Sequence, residues 1–299
     1  MTRWFIFTDF KRRRVMAPAV ALLAAAASAG CTIGPTSPDP TPPQAVAPFT
    51  ATRKAPENTK PAVTVGLAAS FADLKKQLPG TVGVAVVPIG GAGGQVFGDW
   101  NTGVSWSTAK VPLAIAYVRE TGQVTDQVRA SIIESDNAAA EHIWSELGEP
   151  ATAAVKVVAV LRDGGDNETV VQDQRTRSEY SAFGQTVWSL RNQALFTANL
   201  PCIARGPEVL DLMSDIQPAQ RWGLSNVDGA QFKGGWGPGV DGKYLVRQLG
   251  IVSVPGGGKV AVAMAATPNS GTFDDGVQML DQVGAWIKDH IADLSGGAC

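Results

Sequence analysis

Residues Ser107-Thr108-Ala109-Lys110 open the apolar run Val111-Pro112-Leu113-Ala114-Ile115-Ala116-Tyr117-Val118, and no other stretch constrains the chain as much. Turn-prone Asn101-Thr102-Gly103 precedes it and good helix formers follow, so a helix is expected to begin near Ser107, with Lys110 one turn further on. Residues three apart share a helix face. A hydroxyl and an amine held this way, under apolar cover that favours the uncharged amine, make a nucleophile with its own proton acceptor. Taken alone the pattern is weak, because a serine at a helix start is most often only a cap.

Two further clusters follow in order: Ser135-Asp136-Asn137, at the junction of two expected helices, and Lys233-Gly234-Gly235, on an expected strand. With these three clusters the sequence resembles the class A β-lactamase and penicillin-binding protein superfamily, over roughly Pro61 to the C-terminus. The resemblance implies an α+β fold in which an antiparallel sheet is flanked by N- and C-terminal helices, with a helical domain inserted. It implies that Ser107 is the nucleophile, Lys110 its base, and Ser135 the relay between Lys110 and the departing amine. Asn137 would bind a substrate amide carbonyl, and Asp136 would be a buried anchor. Lys233 would offer charge to a substrate carboxylate, and Gly234 and Gly235 would let a substrate backbone approach the strand. The N–H groups of Ser107 and Trp236 match the family's oxyanion hole. Trp106, Trp222 and Trp236 lie beside the motifs and either line the cleft or fill the core.

Three departures from the family pattern carry expectations. Gly234 stands where most members have Thr or Ser, so restoring the hydroxyl by Gly234→Thr is expected to speed acylation. The spacing from Ser107 to Ser135 is short, with the missing length assigned to Glu120–Val124. Between Arg162 and Ser181 nothing matches the Glu-x-x-Leu-Asn motif that supplies a deacylating base; the only glutamates there, Glu168 and Glu179, receive no role. Water attack on an acyl-enzyme is therefore expected to be slow.

Patterning places helices at Ala68–Gln77, Thr125–Glu134, Asn137–Leu147, Thr152–Arg162, Ser181–Asn199 and Glu208–Ile216. Strands are expected at Thr81–Ile89, Gln95–Trp100, Ala230–Gly235, Tyr244–Val254 and Val260–Ala266. Val277, Leu280, Val283, Ile287 and Ile291 recur at helical spacing near the C-terminus. Gly90–Gly94 and Gly256–Gly258 read as turns, lacking the lysine of a phosphate loop. His142 and His290 have no partners at ligand spacing, so neither a metal nor another cofactor is expected.

The N-terminus resembles a bacterial lipoprotein export signal over residues 1–30. A basic block at Lys11–Arg14 precedes an apolar stretch, Val15–Ala27, which ends in Ser28-Ala29-Gly30-Cys31. The stretch is shorter than the roughly 20 residues that span a bilayer, which favours cleavage and lipidation of Cys31. Residues 31–60 form a Pro- and Thr-rich tether, and 61–299 the catalytic domain. With Cys31 given to lipid, Cys202 and Cys299 remain to pair in an exported domain. Removing residues 1–30 takes 25 bases to 20 and 27 acids to 26, leaving a net charge of −6 and no basic surface to suggest nucleic acid. The expected protein is a monomer on the outer face of the cell membrane, acting on a β-lactam or a peptidoglycan-like D-alanyl amide. The competing reading is a binding module that kept the pocket without turnover.

Overall fold

The apolar runs of the C-terminal half form the centre of the molecule. The computed structural model describes residues 61–91 and 94–299; the export signal, Cys31 and the tether lie outside them. Five strands, β1 (Gly80–Pro88), β2 (Gln95–Gly98), β5 (Gln231–Pro238), β6 (Tyr244–Ser253) and β7 (Lys259–Pro268), form one antiparallel sheet in the order β2-β1-β7-β6-β5. Strands β6 and β7 are buried along most of their length. Both faces of the sheet are covered, so these strands read as continuous apolar runs rather than alternating ones. Gly256, Gly257 and Gly258 all take positive φ in the turn that joins them, a conformation open to glycine at no steric cost.

Helices α1 (Pro61–Gln77) and α8 (Phe273–Asp289) pack together, and α8 lies on β6 and β7. Phe71, Phe97 and Trp286 join these layers edge to face, with centroids 5.0 Å apart for Phe71 and Trp286 and 5.7 Å for Phe97 and Trp286. Thr272 caps α8 by accepting from the Asp275 N–H, and Asp274 and Asp275 complement the positive end of the helix. On the opposite face α6 (Leu190–Asn199) lies against β1, β6 and β7.

The helical section is built round α2 (Lys110–Thr121), in which every residue from Lys110 to Val118 is buried. Around it stand α4 (Asn137–Glu146), α5 (Pro150–Asp163) and α7 (Gly206–Leu212), with the short α3 (Asp126–Arg129) leading into α4. Gly122 ends α2 in the left-handed region at φ 74° and Thr125 caps α3, so the trimmed connection between them is a tight turn. The disulfide Cys202–Cys299 ties the C-terminus to the chain just before α7 across 97 residues of sequence.

Three expected helices differ, one of them only at its end, where α7 stops at Leu212 rather than Ile216. Over 181–199 only the second half is helical. Phe183–Gln185 form a 3₁₀ turn and Val187–Ser189 form β4, which pairs with β3 (Thr102–Val104). The Gln185 side chain is drawn into hydrogen bonds with Thr176 and Arg177, and Ser189 starts α6 by accepting from the Asn192 N–H. Over 125–134 the helix converts at Ala130 to a π-helical turn that runs to Glu134.

Candidate active site

The turn that carries Ser107 is a 3₁₀ segment, Trp106–Ala109, which leads directly into α2. Side chains pin it from behind. Thr108 Oγ1 donates to Ser105 O at 2.5 Å and accepts from Gln193 Nε2 at 2.9 Å, while Ser105 Oγ donates to Gly184 O at 3.1 Å. Gln193 in turn accepts from Arg247, a fully buried guanidinium whose pKa burial lowers to about 9. Trp106 is held at φ 49°, unusual for a residue with a Cβ, and such strain is stored where surrounding contacts over-determine the backbone. Ser107 is half-buried, while Trp106 and Thr108 on either side of it are buried.

Lys110 projects from the first turn of α2 toward the second motif. Its Nζ donates to Ser135 O at 2.6 Å, Asn137 Oδ1 at 2.7 Å and Asp136 O at 3.2 Å, and reaches Ser135 Oγ at 3.4 Å. Burial lowers its pKa to about 7, against the opposing pull of the Asp136 and Glu141 carboxylates. Ser135 sits at φ 58°, closing the π turn, and this left-handed kink turns its Oγ toward two amines. Lys233 Nζ donates to it at 2.8 Å. Lys233 is fully buried and also bonds Gly234 O; burial, and then the charge of Lys110, depress its pKa well below the ordinary lysine value. Lys233 thus meets the second motif through the Ser135 hydroxyl. Asp136 is exposed rather than buried: it caps α4, accepting from the Ala139 N–H at 2.6 Å.

Strand β5 is the sheet edge beside this turn. Phe232 N donates to Met213 O, and Gly234 O and Pro238 O accept from Lys233 Nζ and Arg177 Nη1, so the even-numbered main-chain groups of β5 point away from β6. The N–H of Trp236 belongs to that set. The odd-numbered Gly235 and Gly237 face the turn that carries Ser107. A Cβ on Gly235 would stand 2.9 Å from Ser107 N and 2.8 Å from Thr108 N, so glycine is what lets β5 lie against the turn. Gly234 faces the other way, where a Cβ would come 2.7 Å from the ring of Trp222. Trp222 is core, Trp236 borders the cleft, and Trp106 does both.

These elements enclose a pocket of about 190 Å³ lined by Ser107, Lys110, Asn137 and Trp236. Four residues that sequence reasoning missed, or gave no role, line it too: Glu141, Arg175, Glu179 and Tyr180. Glu141 lies one helical turn after Asn137, a spacing that was available in the sequence. The others ride on a loop without periodicity. Each carboxylate is paired, Glu141 with Arg175 at 2.9 Å and Glu179 with Arg177 at 3.1 Å. Glu168 is outside the pocket and accepts from Asn192 at 2.9 Å.

Comparison of the sequence with protein-family models and with curated proteins yields no match. Solved structures do match. The TLA-3 extended-spectrum β-lactamase superposes with a TM-score of 0.62 at 15% identity, covering 77% of this chain and 99% of its own. A β-lactamase from Burkholderia vietnamiensis gives 0.60 at 17% identity, with 77% and 97% covered. PBP-A gives 0.59 at 17% identity over the same shares. The fold is that of the class A β-lactamases and PBP-A. Within this β-lactamase-like fold the first and last helices share one face of the sheet, and the three motifs meet where β5 borders the helical section.

Proposed function

We propose that the chain is an acyl-serine hydrolase. Ser107 attacks the carbonyl carbon of an amide or lactam; its proton passes to neutral Lys110, and the C–N bond breaks as Ser135 hands a proton to the departing nitrogen. The N–H groups of Ser107 and Trp236 receive the oxyanion, and such aimed donors are worth about 2.7–4 kcal/mol each. The observation that supports this reading is that Ser107 lines one pocket with Lys110, whose pKa is lowered to about 7 and whose Nζ lies 3.4 Å from Ser135 Oγ. The structure gives Ser107 Oγ and Lys110 no hydrogen bond to each other. Substrate binding is what brings them together, since catalytic contacts often tighten only in the complex.

β-Lactams are the substrates suggested by the names of the solved structures, D-alanyl peptides by the resemblance of the three motifs, and the proposal puts the protein in the envelope, exported as a monomer with a lipid anchor at Cys31. Turnover is slow in this proposal, because Glu141 and Glu179, the carboxylates that line the pocket, are each committed to an arginine. A binding module without turnover is the second reading, favoured by Trp222 occupying the space beside Gly234. Intact-mass measurement during incubation with a penicillin separates the two. A covalent adduct that persists, and is absent from Ser107→Ala, is expected; general-base assistance is typically worth about 10²–10⁴ in rate, so an adduct cleared within milliseconds would contradict slow deacylation. No adduct with penicillin or with a fluorophosphonate would favour the module.

A further inference from the structure

Behind the turn that carries Ser107 lies a buried cation bonded to neutral groups. Arg247 on β6 is fully buried; its Nη1 donates to Gly103 O, Val104 O and Trp188 O, and its Nη2 to Trp188 O and, at 2.8 Å, to Gln193 Oε1. Burying a charge is costly unless such dipoles are aimed at it. Arg247 pairs across the sheet with Gly235, the glycine that admits the turn, so the two share one face. Gln193 on α6 and Thr108 in the turn are fully buried as well.

The donors and acceptors of these residues give the chain of hydrogen bonds one direction. A guanidinium has no acceptor, so the Gln193 amide turns its oxygen to Arg247 and leaves Nε2 to donate to Thr108 Oγ1 at 2.9 Å. Thr108 then sends its own proton to Ser105 O at 2.5 Å, a carbonyl that also accepts from the Thr108 N–H at 3.2 Å. The chain ends on the Ser105–Trp106 peptide, whose plane sets the φ of 49° at Trp106. A Cβ on Gly235 would stand 2.9 Å from both Ser105 O and Ser107 N, so the carbonyl that ends the chain and the N–H proposed for the oxyanion lie against the same point of β5. We propose that Gln193 is a positioning residue for Ser107: oriented by Arg247, its amide directs the chain through Thr108 that holds Ser105 O and so aims the Ser107 hydroxyl and N–H. This rests on Ser107 forming an acyl-enzyme.

The test is the rate at which the full chain takes a fluorophosphonate at saturating reagent, which reads the chemical step rather than binding, measured beside the melting temperature. Gln193→Glu keeps the size of the side chain and gives Arg247 a counter-charge, but a carboxylate only accepts, so Thr108 would donate to it and release Ser105 O. The melting temperature should hold or rise while the labelling rate falls about 10–100-fold, since a misplacement of about 1 Å can cost about 10²-fold. Thr108→Val, which has no hydroxyl, should lose rate in the same way, and Thr108→Ser should recover most of that loss. These two introduce no charge and decide the matter if Gln193→Glu does not fold. A folded Gln193→Glu protein that labels as fast as the parent, or Thr108→Ser labelling no faster than Thr108→Val, would overturn the inference while leaving the acyl-serine reading intact. A parent chain that takes no label at Ser107 would overturn the acyl-serine reading and this inference with it.

Discussion

Burial has reduced the affinity of Lys110 for protons, and for the base of the proposed reaction this has two consequences of definite sign. In the proposed reaction the neutral amine accepts the Ser107 proton, so acylation should rise as pH increases through about 7. A pH–rate profile of penicillin or fluorophosphonate acylation checks this; a limb near the ordinary lysine value of 10.5 would be inconsistent with it. Between about 7 and 10.5 the unfolded chain holds a proton that folded Lys110 has released, so Lys110 makes stability increase with pH across that window. Lys233, shifted in the same direction, adds to the effect. Urea titrations at pH 7 and pH 9.5 read it, and a lower midpoint at the higher pH would count against the burial described.

At the scale of elements the controlling contact is that of β5 with the Ser107 turn on one side and Trp222 on the other. Restoring a hydroxyl at Gly234 was the natural repair to suggest from sequence, but the indole of Trp222, 5% exposed, already fills that space. Gly234→Thr should therefore destabilise by about 1–3 kcal/mol through overpacking and give no gain in acylation. The double variant Gly234→Thr/Trp222→Ala, which opens the space, should acylate faster with carboxylate-bearing penicillins than Trp222→Ala alone. Equal rates for the two would remove the steric explanation. Much of the architecture was legible because it is periodic: the α8 spacing from Val277 to Ile287 and the apolar runs of β6 and β7 match the structure within a few residues. What escaped depends on contacts distant in sequence. Strands β3 and β4 are three residues each, too short for a pattern, and exist because they pair with each other. The loop that brings Arg175, Glu179 and Tyr180 to the cleft is held by Gln185, which bonds Thr176, Arg177, Tyr180 and Ser181, and no local rule assigns a glutamine that task.

For the whole molecule, the Cys202–Cys299 bond fastens the C-terminal segment beyond α8, and with it α8, to the helical section. Closing a loop with a sequence separation of 97 should stabilise by about 2–5 kcal/mol, so Cys202→Ser/Cys299→Ser should lower the melting temperature by several degrees without altering the identity of the acylated residue. An unchanged melting temperature would mean that the C-terminal segment holds its place without the bond. The proposed reaction nevertheless turns on one atom, Ser107 Oγ, at the junction of the sheet edge and the helical section. The most direct measurement is therefore to treat the folded domain with a fluorophosphonate, digest it, and locate the adduct by tandem mass spectrometry. The expected result is a single modified peptide with the phosphonyl group on Ser107, absent when Lys110 is replaced by alanine; modification at another serine, or an unmodified Ser107 after prolonged exposure, would contradict the account.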